Sequence, residues 1–562
     1  MTGALRWAPA LTVAVFALPI AAGLLGTLLP AFGVMPALGR TTPSWDAWRA
    51  LVGYPGFAGS LAVTLATGVV ATLLSVLLAI GIVAALHGRR LAARTGALIA
   101  PLMATPHAAL AIGLAFLIAP SGWIARLGSP GLTGWEVPPD VFTVGHPSGW
   151  PIVASLLLKE VPYLVLMTLG ALHQVPAGPR VAAARALGHG PAWAWLATVL
   201  PAVWPQLRLP VAAVGVFSLS NVEVATVLGP SDPPTLAVLA VRWFTDPDPA
   251  MAMPAAAAAI ALMAGVGVVL ACGRVLEAGV ARAGRAVIER GLRVRADGVV
   301  AGAAAVGGAL LAVAAAALVG LGVWSSARQW RFPDAWPSAW TADHWMRQAS
   351  SLAGPIVTTV TIAALAAGIA LALALACLER EARMPHADAR PSRSLALLYL
   401  PLLVPQVAFL FGAQVLLVRT GLDGSLFAVV WAHLVYVLPY VFLSLADPWR
   451  AFDPRYARSA LALGRSPAQV FLRVKLPMLL APVLIATAIG VAVSVGQYLP
   501  TLFAGAGRVA TLTTEAVTLS GGADRRVIGV WAMLQAALPL AAYLAAVAIP
   551  AVVFANRRGL AR

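Results

Sequence analysis

Charged residues are scarce in this sequence, and lysine is almost absent. Charged residues make up 10% of its 562 residues, and only Lys159 and Lys475 are lysine, whereas a soluble globular protein carries about 25% charged residues. Hydrophobic residues make up 60% of the chain, and the mean hydropathy is +0.87. Disorder is excluded, and so is a soluble enzyme with one membrane anchor, because the apolar character extends from end to end. The composition predicts a polytopic membrane protein.

The two lysines also exclude a built-in P-loop. Such a loop has the pattern Gly-x4-Gly-Lys-Ser/Thr, in which the lysine reaches the terminal phosphates of a nucleotide. Leu158 precedes Lys159 and Val474 precedes Lys475, so neither lysine fits. No His-Glu-x-x-His or Gly-x-Ser-x-Gly motif of a membrane hydrolase is present either. We therefore predict no catalytic residues and no cofactor in this chain, so uphill transport would need a partner ATPase or an ion gradient.

Cysteine is equally rare. Cys272 and Cys377 both lie at the ends of apolar runs, on the side that is assigned below to the cytoplasm, where thiols stay reduced. We therefore predict neither a disulfide framework nor a cysteine-based metal site.

Apolar runs long enough to cross a bilayer core of about 30 Å recur along the chain. Twelve of them lie near 9–32, 58–86, 97–119, 150–172, 206–229, 251–273, 299–324, 352–378, 394–418, 425–446, 478–498 and 527–554. With the N-terminus in the cytoplasm, the cytoplasmic segments carry 25 basic residues and the opposite loops carry 11. Cytoplasmic loops collect arginine and lysine, so we predict that both termini are cytoplasmic. The net charge of +17 is then explained by the basic residues of the cytoplasmic loops. We therefore predict no nucleic acid partner.

Two cytoplasmic loops are copies of one another. Residues 182–201 and 458–477 agree at nine of 20 positions. In each copy, helix-forming residues end at Gly188 or Gly464, since glycine readily takes the left-handed conformation that ends a helix. Pro191 or Pro467 then begins a second helix, where a missing N–H has no cost. Each loop is predicted to be a pair of short helices, and the chain to be a tandem repeat of two parallel six-span units.

The repeated loop resembles the coupling loop of binding-protein-dependent ABC importer permeases of type I. That motif reads Glu-Ala-Ala-x3-Gly-x9-Ile-x-Leu-Pro, and this chain keeps the spacing of Gly and Pro in both copies. The motif glutamate is replaced by Ala182 and Arg458, which leaves docking plausible but removes any salt bridge of that acid. The fused arrangement of two permeases is similar to the branch that transports iron(III), thiamine and related small solutes.

The resemblance implies a fold, partners and a location. The fold would be an all-α polytopic membrane protein of about 12 transmembrane helices, in two type I permease units. Two copies of an ABC ATPase subunit would bind the ATP and dock at loops 180–201 and 456–477. A periplasmic solute-binding protein would deliver the cargo, and the chain would contact membrane lipid in a bacterial inner membrane.

On this basis the chain divides into six predicted segments: a first span and outer loop (1–57), a first permease domain (58–273), a basic cytoplasmic linker (274–298), a seventh span and outer loop (299–351), a second permease domain (352–554) and a basic tail (555–562). The predicted coupling residues are Ala183, Ala184, Leu187, Gly188, Pro191, Pro201, Ala460, Leu463, Gly464, Pro467 and Pro477.

Ionisable residues inside spans are rare and are functional candidates by default. The candidates for a translocation path or a buried ion pair are Lys159, Glu160, Asn221, Glu223, Gln497 and Tyr498. One interpretation is an asymmetric path for a charged or strongly polar solute, and the other is an interhelical pair such as Lys159 with Glu223. His433, alone on an apolar span, is predicted to be a hydrogen-bonded helix contact.

Two other classes of protein compete with an ABC permease. A secondary transporter with two six-helix halves would couple an ion gradient to an acidic residue such as Glu223. It would have no ATPase to bind, so the two matched loops argue against it. A membrane scaffold or receptor would have no need of matched loops either.

Overall fold

The computed structural model describes residues 6–89, 92–383 and 397–555, and the fold is all-α as predicted. One antiparallel two-stranded sheet, β1 (Ala327–Gln329) with β2 (Ala339–Trp340), is the exception among the described residues. The described chain has 10 helices long and apolar enough to cross a membrane, or up to 12 if each of two bent pairs is one span. This range includes the twelve spans predicted from the sequence.

The helices of the first half are α1 (Ala8–Ala31), α2 (Asp46–Gly53), α3 (Phe57–Leu86), α4 (Ala92–Ala104), α5 (His107–Ile118), α6 (Trp123–Gly128), α7 (Trp150–Leu172), α8 (Ala177–Ala186), α9 (Pro191–Thr198), α10 (Leu200–Ser220), α11 (Glu223–Leu228), α12 (Leu236–Phe244) and α13 (Ala252–Glu289).

The helices of the second half are α14 (Asp297–Ser326), α15 (Asp343–Arg383), α16 (Leu400–Leu403), α17 (Gln406–Thr420), α18 (Leu426–Arg450), α19 (Pro454–Ala462), α20 (Pro467–Val470), a π-helical turn (Phe471–Lys475), α21 (Leu476–Met478), α22 (Leu480–Val495), α23 (Leu499–Gly505), α24 (Leu512–Leu519) and α25 (Arg525–Val553).

The two halves share one order of elements and matched tertiary contacts. In the first half, the backbone N–H of Leu236 donates to Thr64 Oγ1 at 2.8 Å, which ties α12 to α3. In the second half, the N–H of Leu512 donates to Thr359 Oγ1 at 2.9 Å, which ties α24 to α15. Leu236 and Leu512 also occupy equivalent positions in the sequence repeat, 276 residues apart. The duplication in the sequence is therefore a duplication of structure.

Three predicted spans are interrupted. The run near 97–119 is broken at Pro106, whose extended backbone (ψ 148°) separates α4 from α5. In the run near 394–418, described from residue 397, the helices are bent by 109°. The run near 206–229 was predicted to be one span, but α10 ends at Ser220 and Asn221 is extended. The separate helix α11 begins at Glu223, and Asn221 Oδ1 accepts the N–H of Ala225 in its first turn at 3.2 Å.

The first helix of each half packs against the other half. Helix α1 lies along α17 of the second half, and α14 lies along α3 and α5 of the first half. The approach of α1 to α17 is close: a Cβ added to Gly412 would lie 2.0 Å from the carbonyl oxygen of Gly23. In the matching crossing, a Cβ added to Gly113 would lie 2.6 Å from the carbonyl oxygen of Ala317. Small residues permit such close contacts between membrane helices. The two crossings therefore hold the two halves together.

The predicted linker at 274–298 is mostly helical. Helix α13 continues without a break to Glu289 and α14 begins at Asp297, which leaves 290–296 between the two helices. The basic tail predicted at 555–562 lies outside the described residues except for Ala555. The other domain boundaries remain predictions.

Candidate functional site

The first coupling loop consists of α8 and α9, joined at a glycine as predicted. Gly188 has φ +85°, and Pro191 is the first residue of α9. Leu187 is 74% exposed and Ala183 is exposed as well, so both lie on a free surface. Ala184 was predicted to lie on the same docking surface, but it is 7% exposed. Ala184 continues the inward face of α8 and packs into a hydrophobic cluster, so its part in docking stays a prediction.

This loop is attached to the start of the second half. Gly190 has no side chain with which to cap α9, and the Asp297 carboxylate supplies the cap instead. Asp297 Oδ1 accepts the N–H of Ala192 at 3.2 Å, at the positive end of the short helix. Arg180 binds the far end of α9 through the carbonyl oxygen of Thr198 at 3.1 Å. The first loop therefore contacts α14 through Asp297 as well as its own half.

The second coupling loop has the same bend and a different cap. Gly464 has φ +79°, and Pro467 is the first residue of α20. Ser466 and Gln469 form a reciprocal capping box at the start of α20. Leu463 is 83% exposed, and no residue of α19 is buried. This loop stands further from the body of the protein than the first.

The start of α19 is fixed by an aspartate. The Asp453 side chain accepts the backbone N–H of Arg455 at 2.9 Å and the guanidinium of the same residue at 2.8 Å. These hydrogen bonds hold the pKa of Asp453 below its usual range. Asp453 therefore remains ionised and caps the helix at neutral pH.

Two other predicted coupling residues, Pro201 and Pro477, lie at the edges of the loops, and a third, Ala460, lies within α19. Ala460 and Pro477 are half-buried and Pro201 is exposed. Pro201 lies at the second position of α10, and Pro477 lies in α21 between the π-helical turn and α22. Each proline thus lies where a loop helix meets a spanning segment.

The base of the second loop is joined to two spanning helices by Lys475. Its ammonium group pairs with Glu379 of α15 at 2.8 Å and lies 4.4 Å from the ring centroid of Trp449 in α18. Glu379 also pairs with Arg383 at 2.8 Å. Lys475 is 6% exposed, so this pair is largely shielded from solvent. The second loop is therefore connected directly to α15 and α18.

The intramembrane charges surround the break at Pro106. Glu160 Oε1 lies 3.1 Å from His107 Nε2, and the Lys159 ammonium donates to the carbonyl oxygen of Thr105. That carbonyl lies just beyond the end of α4, where backbone oxygens lack helical partners. Lys159 and Glu223 are close enough for their charges to interact, but no salt bridge joins them among the described residues. The direct pair suggested by the sequence is replaced by other partners.

This polar cluster lies where the two halves meet. Glu160 lies near Tyr440 of α18, and Glu223 lies near Tyr498, which comes just before α23. Glu160, Asn221 and Glu223 are buried, whereas Gln497 and Tyr498 are half-buried. The charges come from the first half, whereas Tyr440 and Tyr498 come from the second. The structure thus brings most of the predicted polar residues to one region.

Sequence reasoning missed His107. A histidine directly after a proline inside an apolar run was the available signal, because the break exposes backbone groups that need polar partners. The prediction for His433 is confirmed: its ring nitrogens lie 2.8 Å from Ser494 Oγ and 2.9 Å from Thr501 Oγ1. Within the described residues, no three His, Cys, Asp or Glu side chains group as potential metal ligands.

Fold and loops together define a polytopic membrane protein of two repeated transport units. A family model described as the inner membrane component of binding-protein-dependent transport systems matches residues 77–282. The inner membrane ABC transporter permease protein YnjC of Escherichia coli (strain K12) is 32% identical over 513 residues, which cover 90% of each chain. The chain belongs to the ABC transporter permeases. It is thus a multi-pass transporter component, of a family that works with ATPases and binding proteins. The resemblance to ABC permeases that the coupling motif indicated is confirmed.

Proposed function

We propose that this chain forms the translocation path of an ATP-driven importer for a small solute, iron(III), thiamine or similar. A periplasmic binding protein would deliver the solute to the outer face. Two copies of an ATPase subunit would dock at loops 180–201 and 456–477 on the cytoplasmic face, where both termini lie. The presence of two matched helical loops, each with an exposed leucine beside a left-handed glycine, carries this proposal.

The contacts at the loops suggest how ATPase closure reaches the membrane. The first loop packs on its own half through Ala184 and also reaches α14 through Asp297, whereas the second loop is tied through Lys475 to α15 and α18 of the second half. Drawing the two loops together would move helices of both halves relative to one another. Alternating access by such rocking needs no covalent step in this chain.

The polar cluster between the halves is the proposed solute path. Alternating access would open the boundary between the two halves. Both signs of charge are present at this boundary, on Glu160, His107, Lys159 and Glu223. Buried charged groups of this kind mark solute pathways in membrane proteins. The tyrosines of the second half add neutral hydroxyl groups to the same region.

The docking proposal is tested by placing a charge on each exposed leucine. Leu187→Asp and Leu463→Asp are expected to lower ATPase affinity by about a hundredfold, because a carboxylate would be buried in an apolar contact. Leu132→Asp is the matched control, since Leu132 is 91% exposed at a distance from both loops. Co-purification with the ATPase in mild detergent and uptake by reconstituted vesicles are the measurements. The proposal fails if no ATPase co-purifies with the wild type, or if uptake needs an ion gradient and no ATP.

The path proposal is tested with Glu223→Gln. If Glu223 faces the solute, solute selectivity changes while the yield of folded protein stays the same. If it only stabilises the bundle, the yield falls and the selectivity of the remaining transporter is unchanged. Glu136→Gln, which removes an exposed acid outside the cluster, controls for a general effect of charge.

A further inference from the structure

The end of α13 forms a basic cavity that the proposed transport function does not use. The apolar part of this helix, residues 252–272, rises about 31 Å, which matches the thickness of a bilayer core. Arg274 is the first charged residue beyond it. A cavity of about 380 Å³ begins there, between α13 and α10, and the charged residues that line it are Arg208, Arg274, Glu277, Arg282 and Arg285.

The cavity follows one face of α13. Positions 274, 277, 278, 281, 282 and 285 are separated by steps of three and four residues, which places them on one side of a helix. Ala278 and Ala281 occupy the middle of this face, and their small side chains leave the space that larger residues would fill. Arg208 closes the cavity from α10.

The charges in the cavity are unbalanced. Glu277 is shared between Arg208, whose Nε lies at 2.8 Å, and Arg274, whose guanidinium lies at 3.2 Å. Arg282 and Arg285 have no ion-pair partner among the described residues. Four guanidinium groups thus face one carboxylate. Arginine is well suited to phosphate because its planar fork of donors can bind two oxygens at once.

The rest of the circumference of the same helical segment carries exposed aliphatic side chains. Val275, Leu276 and Val280 are 73%, 53% and 64% exposed. They lie at the same level along the axis as Arg274, Glu277 and Arg282. A helix with an arginine-rich face and an exposed aliphatic face, directly beyond a membrane span, is typical of the lipid–water interface. A free phosphate or a nucleotide would use the arginines but not the aliphatic side chains.

We propose that this cavity binds the phosphate headgroup of an anionic phospholipid. The long side chains of Arg282 and Arg285 tilt towards the N-terminal, membrane side of α13, so their guanidinium groups hold the phosphate at the membrane end of the cavity. The acyl chains run along the apolar surface of α13 towards residues 252–272. The bound lipid fills the gap between α10 and α13, next to the linker that joins the two halves. It therefore stabilises the packing of α13 against α10.

The experiment measures lipid binding to the purified full chain in detergent. Native mass spectrometry and the melting temperature are followed during titration with phosphatidylglycerol, with phosphatidylcholine of the same acyl chains, or with inorganic phosphate. Only phosphatidylglycerol is expected to remain bound and to raise the melting temperature. In Arg282→Gln/Arg285→Gln its affinity is expected to fall about thirtyfold, since each basic residue near an anionic headgroup contributes about one factor of five.

Two variants make the test specific. Arg290→Gln/Arg295→Gln removes the same charge from the same segment outside the cavity, and its affinity is expected to stay within about threefold of the wild type. Ala281→Phe keeps every charge and fills the cavity, so it is expected to abolish retention of phosphatidylglycerol. If Arg282→Gln/Arg285→Gln fails to fold, lipid binding by Ala281→Phe still tests whether the cavity holds the headgroup. Equal binding of both lipids, equal losses in the two double variants, or equal stabilisation by inorganic phosphate would overturn the proposal.

Discussion

The crossing of α1 with α17 makes a quantitative prediction for Gly412→Ala. The new Cβ would lie 2.0 Å from the Gly23 carbonyl oxygen and 2.7 Å from Thr27 N. An ordinary C···O contact is about 3.3 Å or longer, so the helices must separate by about 1 Å or more. These are backbone atoms of α1, so no side-chain rotation relieves the overlap. Separation also weakens the hydrogen bond from Gly412 N–H to Thr27 Oγ1, which is 3.2 Å long.

The expected cost combines two effects. Overpacking costs about 1–3 kcal/mol, and the weakened hydrogen bond adds about 1 kcal/mol. We therefore expect Gly412→Ala to lower the free energy of unfolding by about 2–4 kcal/mol. Gly113→Ala, at the matching crossing, is expected to act in the same direction because its Cβ would meet the Ala317 carbonyl.

Gly368→Ala in α15 is the control for this prediction. A Cβ there has nothing within 4 Å, and alanine favours a helix over glycine by up to about 1 kcal/mol. The melting midpoint of the purified protein in detergent should fall for Gly412→Ala and stay level or rise for Gly368→Ala. If both variants melt alike, the close approach of α1 to α17 and the exchange of helices between the halves are refuted.

Two further predictions use the matched contacts of the halves. Thr64→Val and Thr359→Val each remove the acceptor of a buried backbone N–H. Each is expected to lower the free energy of unfolding by about 1–3 kcal/mol. The melting midpoint measures the loss, and Thr358→Val is the control at a neighbouring residue. Ser466→Ala should raise hydrogen exchange in α20 but not in α9, and Asp297→Ala should do the reverse, because each residue caps only its own loop. Faster exchange in both loops of either variant would contradict the assignment of caps.

The sequence was sufficient to predict most spans and the bends of both loops. A span such as α7 is a continuous apolar run, and its bounds, Trp150–Leu172, equal those of the predicted segment. Gly188 and Gly464 were predictable because few other residues take positive φ at the end of a helix. These features depend on local chemistry, which a single sequence displays directly.

Tertiary partners were not predictable in the same way. The motif identified Ala184 as part of a docking loop, but only packing shows that this residue faces inward. Likewise, the partner of Glu160 is His107, 53 residues away, and no spacing in the sequence connects them. The end of α10 before Asn221 was missed because the apolar run continues through the break, although asparagine often binds backbone groups at the ends of helices.

The exchange of α1 between the halves has a consequence for synthesis. The partner of Thr27 is Gly412, 385 residues further along the chain. At about 5–20 residues per second, the ribosome needs roughly 20–80 s to make that stretch. During this time the face of α1 that carries Gly23 and Gly26 lies in the membrane without α17, its partner in the folded protein. The nascent first half is therefore an unfinished structure, and it becomes a stable unit only when the second half has been inserted beside it.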